Sequence, residues 1–315
     1  MVDRVLVTGG AGFIGSHLVD RLMGEGFEVV VLDDFSSGKG ENLNQHFGKA
    51  NFCLVEGDVR NKADVRKALK GVDVVFHLAA IVSVDFSVKN PLLVNEVNVD
   101  GTLNVLRESL KAGVKRFVYA SSCAVYGEPV HLPINEEHPA KPLSPYGVSK
   151  LAAEHYCRVF HEVYGLETVC LRFFNVYGSR QVIGPYSGVV MNFIDRLKCG
   201  KQPIIYGDGE QTRDFVFVKD VADACAGAMR CEDCVGEVIN VGSGVETSVN
   251  ELANVLVELF GLHDVKPVYA EARAGDVRRS CADLGKAEKL LGYKPKTSLR
   301  EGLTMLLRSL GVKHL

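Results

Sequence analysis

Along the first 180 residues, unbroken apolar runs alternate with stretches whose apolar positions recur every three or four residues. RVLVTGG (4–10), EVVVLDD (28–34), ANFCLVEGD (50–58), DVVFHLAA (73–80), RFVYASS (116–122) and TVCLRFFN (168–175) are short and read as strands covered on both faces. GSHLVDRLMGEG (15–26) has helical spacing and stops at Gly, and helices are expected around 61–70, 95–112 and 145–164. Such alternation predicts an α/β chain with a parallel sheet wound on both sides. Right-handed crossovers leave few topologies, and the nucleotide-binding doubly wound (Rossmann) sheet is the first choice.

After residue 178 the pattern loosens, with turn-rich GSRQVIGPYSG (178–188) and a Gly-Asp-Gly turn in IIYGDGEQTRD (204–214). VKDVADACAGAMR (218–230) again reads as a helix and EVINVG (237–242) as a strand, followed by helices at 248–260, 285–291 and 299–310. The expected organisation is a nucleotide-binding domain over 1–178, rejoined by about 215–245, and a mainly substrate-binding domain over 179–315. The two units are interleaved.

Composition excludes several classes. The 315 residues, 47% hydrophobic and 24% charged, belong to an ordinary globular protein, and a net charge of -3 without long blocks of one sign gives no nucleic-acid or membrane-surface footprint. Apolar runs such as VVVL (29–32) are far short of the ~20 residues of a membrane helix, and no signal region follows Met1, so a cytoplasmic enzyme with a small partner is expected. The nine Cys are scattered. Only Cys231 and Cys234 have metal-like or redox spacing, and without a second pair or nearby His they read as part of a surface loop, with no metal site.

Glycine is over-represented at 32 residues, nine of them within the first 50. In TGGAGFIGSHL (8–18), Gly9, Gly12 and Gly15 stand three apart between a strand and a helix. Glycine there lets the backbone turn, approach a pyrophosphate and pack helix on strand, while the helix N-terminus faces the anion. Asp33 closes the next strand, where a carboxylate accepts from a ribose 2′-hydroxyl and repels a 2′-phosphate, favouring NAD over NADP. A second candidate is Tyr146-Gly-Val-Ser-Lys150: residues four apart share a helix face, so the Lys150 ammonium can stabilise a Tyr146 phenolate and bring its pKa toward operating pH.

Together, TGGAGFIG, Asp58-Val59, HLAA (77–80), ASSCAVYG (120–127) and YGVSK (146–150) resemble the extended short-chain dehydrogenase/reductase family. LRFFNVYG, IYGDGEQTRDFVFVKDV and RAGDVRRSCAD resemble its nucleotide-sugar branch, most of all the UDP-glucose 4-epimerases. The resemblance implies Gly9, Gly12, Phe13, Ile14 and Gly15 along the pyrophosphate of NAD, Asp33 at the adenosine ribose, and Asp58 and Val59 at the adenine. Leu78, Ala79 and Ala80 would lie along the cofactor, Asn98 would support the strand ends, and Phe174 would close over the nicotinamide. Ser122, Tyr146 and Lys150 would form the catalytic group. Tyr146 and Lys150 would also touch the cofactor, and Ser122 and Tyr146 the sugar. Asn175, Arg213, Arg273 and Asp276 would hold the uridine diphosphate, a task that suits the guanidinium forks.

The implied reaction is epimerisation at C4 of a UDP-hexose through a transient 4-keto sugar that turns and takes its hydride back on the other face. Dehydratases and decarboxylases of nucleotide sugars share the first step but need further acid–base groups after the catalytic Ser or Thr. Here Cys123 and Ala124 follow Ser122, and neither replaces a carboxyl. A non-catalytic NAD-binding protein is the remaining alternative, disfavoured because Tyr146 and Lys150 are both present. Ser280, four residues after Asp276, is small where the family sets the room for the C2 substituent, so N-acetylated sugars are expected to fit. The helices at 95–112 and 145–164 resemble those that join two subunits in the family, which implies a homodimer.

Overall fold

The computed structural model describes residues 3–182, 188–262, 264–272 and 277–312. The first strand and helix are β1 (Arg4–Thr8) and α1 (Phe13–Gly24), followed by β2 (Glu28–Asp33), β3 (Phe52–Glu56), α2 (Lys62–Ala68) and β4 (Val74–His77). The chain continues through α3 (Val84–Lys89), α4 (Pro91–Asn95), a π-turn at Glu96–Asp100, α5 (Gly101–Ala112), β5 (Arg116–Ser122), α6 (Pro145–Tyr164) and β6 (Glu167–Phe173). The remaining elements are β7 (Asn175–Tyr177), α7 (Val189–Lys198), β8 (Ile204–Tyr206), β9 (Thr212–Phe217), α8 (Val218–Ala228), β10 (Val238–Val241), β11 (Glu246–Ser248), α9 (Val249–Leu259), β12 (Val268–Ala270), α10 (Gly285–Leu291) and α11 (Leu299–Ser309).

Seven parallel strands form the central sheet in the order β10-β6-β5-β4-β1-β2-β3. This is the Rossmann arrangement, and the strand order reverses between β1 and β4, where a crevice opens at the carboxyl ends. The uninterrupted apolar strands are explained by two cores. On one face Val5, Val7, Val29, Val31 and Phe76 pack with Leu18, Leu22, Val221 and Cys225 of α1 and α8. On the other, Leu6, Val30, Leu32, Val75 and Phe117 pack with Val65, Val105, Ala153 and Cys157 of α2, α5 and α6.

A third core joins α7, α9 and α11 to the short strands β7 and β9, through Phe193, Ile194, Phe215, Phe217, Leu252, Leu256, Leu303 and Leu306. Sequence periodicity has no hold on β7, β8, β11 and β12, each three residues long. β9 pairs with β7 in parallel and β11 antiparallel, and β8 pairs with β12. The buried Asp214 on β9 accepts from Ser243 N (2.6 Å), Ser243 Oγ (2.7 Å), Gly244 N (2.9 Å) and Ala282 N (3.1 Å). One carboxylate thus ties this layer to the turn after β10 and to the segment before α10.

Two expectations need correction. The single helix expected over 95–112 is three pieces in one helical run, because the π-turn at Glu96–Asp100 separates α4 from α5. The Cys231–Cys234 segment is not merely a surface loop. A 3-10 turn at Glu232–Cys234 brings the two Cα atoms to 5.4 Å, inside disulfide range, and the sulfurs are bonded, with Cys234 buried. Among the described residues no group of three or more His, Cys, Asp or Glu is placed to hold a metal, and no helix is long and apolar enough to cross a membrane.

Candidate active site

The sequence candidates gather at the carboxyl ends of the parallel strands. Gly9 follows β1, Asp33 ends β2, Asp58 and Val59 follow β3, Leu78–Ala80 follow β4, Ser122 ends β5, and Asn175 begins β7 just past β6. Gly9 has φ +69°, and a Cβ there would come within 2.8 Å of Ala79 N; a Cβ on Gly15 would stand 2.9 Å from Gly10 Cα. Both positions require glycine. A Cβ on Gly12, the N-cap of α1, would instead meet only Gly9 O at 3.1 Å. No side chain caps α1 and no acid lies in its first turn, so the amides at Phe13 and Ile14 open the helix toward an anion.

Asp33 is buried beside this turn, accepting from Ala11 N and Phe35 N, both at 2.9 Å. Burial pushes its carboxyl up and the two N–H donors pull it back. Each oxygen keeps a lone pair for a hydroxyl, and a phosphate would meet a carboxylate. The glycine turn, bare helix end and buried acid together fit a dinucleotide of the NAD kind. Asp58 is held below the usual carboxylate range mainly by hydrogen bonds from Arg60, while Val59 is buried against Gly101 at the start of α5.

The candidate catalytic pair is carried by α6. Ser144 caps the helix by accepting from Gly147 N at 3.1 Å, and Pro145 occupies its first turn, so Tyr146 and Lys150 fall on the inward face below β5. Both are buried. Lys150 Nζ donates to Ala120 O at 2.8 Å and lies 6.0 Å from the Tyr146 ring centroid. Burial pushes the Tyr146 phenol up to about 12, against the pull of a hydrogen bond from Ser122. Burial also pushes the Lys150 ammonium down to about 8, with the Glu154 carboxylate acting the other way. On the phenol, desolvation outweighs the Ser122 hydrogen bond, while the Lys150 ammonium donates to a strand carbonyl.

Glu154, Arg172 and Ser149 escape the sequence reading. Glu154, one turn beyond Lys150, accepts from Ser121 Oγ and from Arg172 Nε (2.9 Å) and Nη2 (2.8 Å). Asn98 accepts from Ile81 N (2.8 Å) and donates to Ile81 O (2.9 Å) and Ser149 Oγ (3.0 Å), while Ser149 Oγ donates to Tyr146 O (2.7 Å). The YGVSK spacing contains Ser149, but nothing local marks it as the bridge to Asn98, 51 residues away.

On the substrate side, Arg213 of β9 donates through Nη1 to Thr212 O and Val277 O, both at 2.7 Å. Phe174 is a buried member of a small cluster with Val125, Tyr126, Ile134 and Ala282. Ser280 is buried, with Arg279 beside it paired to Glu246 at 2.7 Å. Arg273 and Asp276 lie outside the described residues.

A family described as GDP-mannose 4,6 dehydratase matches residues 6–306. UDP-glucose 4-epimerase of Mycolicibacterium smegmatis is 42% identical over 303 residues, 95% of this chain and 96% of that protein. The crystal structure of UDP-glucose 4-epimerase with UDP-glucose from Thermotoga maritima aligns with a TM-score of 0.92 at 42% identity, covering 98% of each chain. UDP-N-acetylglucosamine 4-epimerase from Methanobrevibacter ruminantium, in complex with UDP-N-acetylmuramic acid, aligns at 0.93 with 39% identity over 98% of this chain and 99% of that one. The Thermus thermophilus UDP-glucose 4-epimerase, solved in complex with NAD, aligns at 0.88 with 38% identity over 98% and 99%. UDP-glucuronic acid decarboxylase 4 of Arabidopsis thaliana is 38% identical over 313 residues, 98% of this chain and 68% of that protein.

The buried ammonium has a measurable cost. A fall from 10.5 to about 8 corresponds to about 3 kcal/mol against the charged form. Removing Lys150 also deprives Ala120 O of a partner, worth about 1 kcal/mol. Lys150→Met is expected to stabilise the fold by about 2 kcal/mol at pH 7. The folded pKa lies below the unfolded one, so the unfolded chain binds the extra proton between about 8 and 10.5; wild-type stability rises through that window and the mutant's advantage fades. Urea unfolding at pH 7 and pH 10 checks both the sign and the trend.

Proposed function

The chain belongs to the nucleotide-sugar branch of the extended short-chain dehydrogenase/reductase family, and from that premise we propose that it is a UDP-sugar 4-epimerase, an isomerase with NAD as catalytic cofactor. The observation that carries this reading is the proton inventory next to Ser122. Cys123, whose thiol burial pushes up to about 12, and Ala124 stand where elimination or decarboxylation calls for a carboxyl group. The nearby Asp214 carboxylate is already committed to its four donors.

Gly9, Gly12, Phe13, Ile14, Gly15, Asp33, Asp58, Val59 and Leu78–Ala80 would hold NAD, which would supply a reversible hydride acceptor for the sugar. Tyr146 takes the proton of the sugar 4′-hydroxyl and later gives it back, while Ser122 orients that hydroxyl. Lys150 holds positive charge beside the phenol oxygen as it ionises. Arg213 and Asn175, with Arg273 and Asp276, anchor the diphosphate, so the 4-keto sugar can turn without leaving. Ser280 leaves room for an N-acetyl group, a reading supported by the likeness to the N-acetylglucosamine 4-epimerase.

A panel of UDP-sugars with product identification tests reaction and substrate together. Interconversion of UDP-glucose with UDP-galactose, and of their N-acetylated forms, is expected, and Tyr146→Phe should lower kcat at least about 1,000-fold with the fold intact. A stable 4-keto-6-deoxy sugar or released carbon dioxide would replace the epimerase with one of the other two reactions. Bound NAD with no change in any sugar would make the chain a binding protein.

The homodimer belongs to the same proposal. On α6 the apolar Val148, Tyr156, Val159 and Val163 recur at helical spacing on the solvent face, and Leu92 on α4 is 79% exposed nearby in the same helical layer. Light scattering is expected to give twice the 34.3 kDa chain mass; a monomer at micromolar concentration would contradict it.

A further inference from the structure

Beneath the cofactor crevice lies a buried imidazole that the proposed mechanism leaves unused. His77, the last residue of β4, has no exposed surface, and its ring packs against Phe117 and Tyr119 of β5, with centroids at 5.6 and 6.0 Å. Its two nitrogens face two hydroxyls, Nδ1 to Thr8 Oγ1 at 2.7 Å and Nε2 to Thr102 Oγ1 at 2.9 Å. Thr8 is its register partner across the sheet, at the end of the strand that enters the glycine turn.

The remaining bonds of the two hydroxyls decide which nitrogen carries the proton. Thr8 Oγ1 accepts from Leu78 N (3.2 Å) and Ala79 N (3.3 Å), so its single proton is left to donate to His77 Nδ1. Thr102 Oγ1 spends its proton on Asn98 O at 2.6 Å, so it must accept from His77 Nε2. The ring is the neutral Nε2–H form, and every bond in the chain runs in one direction. An imidazolium would aim a second proton at an oxygen whose lone pairs are taken. Burial and the Lys150 charge agree, pushing the ring down to about 3.

We propose that His77 is a positioning residue for the reaction, carrying a directed hydrogen-bond chain from the glycine turn through Thr8 and Thr102 to Asn98, and from Asn98 through Ser149 to the backbone of Tyr146. This inference rests on Tyr146 being the proton-transferring group. The link works through the π-turn at Glu96–Asp100, an uncommon helical form often found at functional sites. That turn aims the Asn98 side chain inward at Ile81 and Ser149, and the Thr102 hydroxyl closes on its carbonyl. The segment after β4 is held from both ends: Thr8 gathers the amides of Leu78 and Ala79, and Asn98 clasps Ile81. The walls of the cofactor crevice and the catalytic tyrosine are thereby set by one network.

Thr102→Val keeps the shape and deletes the hydroxyl that His77 needs, while Thr102→Ser restores it. The valine variant is expected to lose about tenfold in kcat at unchanged sugar KM, because a misplaced tyrosine costs transition-state rather than ground-state binding. The serine variant should recover to within about threefold of wild type. A Thr102→Val enzyme with a lowered melting temperature but wild-type kcat per folded molecule would reduce the network to core packing. Nitrogen-15 NMR of the wild-type imidazole needs neither turnover nor a variant that folds. Nδ1 is expected bare and Nε2 protonated from about pH 5.5 to 8.5. The opposite tautomer, or titration inside that range, overturns the proposal whether or not the chain epimerises a sugar.

Discussion

Keeping an ammonium and a phenol out of water at the same place is the constraint around which this molecule is arranged. Lys150 and Tyr146 are both buried, and burial favours the neutral form of each. The surrounding structure offsets that tendency on the lysine side. Ala120 O accepts from Nζ, and the Glu154 carboxylate one turn along α6 favours the charged ammonium. Glu154 in turn accepts two hydrogen bonds from Arg172, whose guanidinium lies 4.7 Å above the Tyr126 ring. A buried ion pair is weak evidence for stability, but removing one partner strands the other. Here Glu154 lies on α6 and Arg172 on β6, so the pair also fixes that helix against the sheet.

From Arg172 the same polar core reaches the substrate layer. Arg172 donates to Glu136 O, Glu136 accepts from Asn240 N, and the Asn240 side chain accepts from Tyr126 and donates to Ile134 O. The 134–136 segment pairs in turn with Cys281 and Asp283, next to Ser280. Asp214 closes the loop from β9, whose Arg213 is the residue proposed to meet the diphosphate. The groups proposed to bind the nucleotide and those proposed to move the proton are therefore held by one connected set of buried bonds.

Much of this is legible in the sequence alone. Continuous apolar runs such as EVVVLDD can satisfy both faces only inside a wound parallel sheet, and the glycine turn with Asp33 marks where the strand order reverses. Legibility ends where contacts are long in sequence. Glu154, Arg172 and Ser149 carry no local pattern, because what brings them to the candidate site is contact between elements far apart in the chain. The three-residue strands β7, β8, β11 and β12 are too short for any period to show; β7 and β11 form against β9, and β8 and β12 against each other. The i, i+4 spacing of Tyr146 and Lys150 fixes their proximity but says nothing of desolvation, which raises the phenol.

The central claim is that hydrogen leaves C4 of the sugar and returns to the same carbon within one closed site. It is tested most directly by following a deuterium placed at C4 of UDP-galactose through the reaction in ordinary water. The account predicts UDP-glucose with the deuterium retained at C4. Loss of the label to solvent, or its appearance at C6, would contradict it.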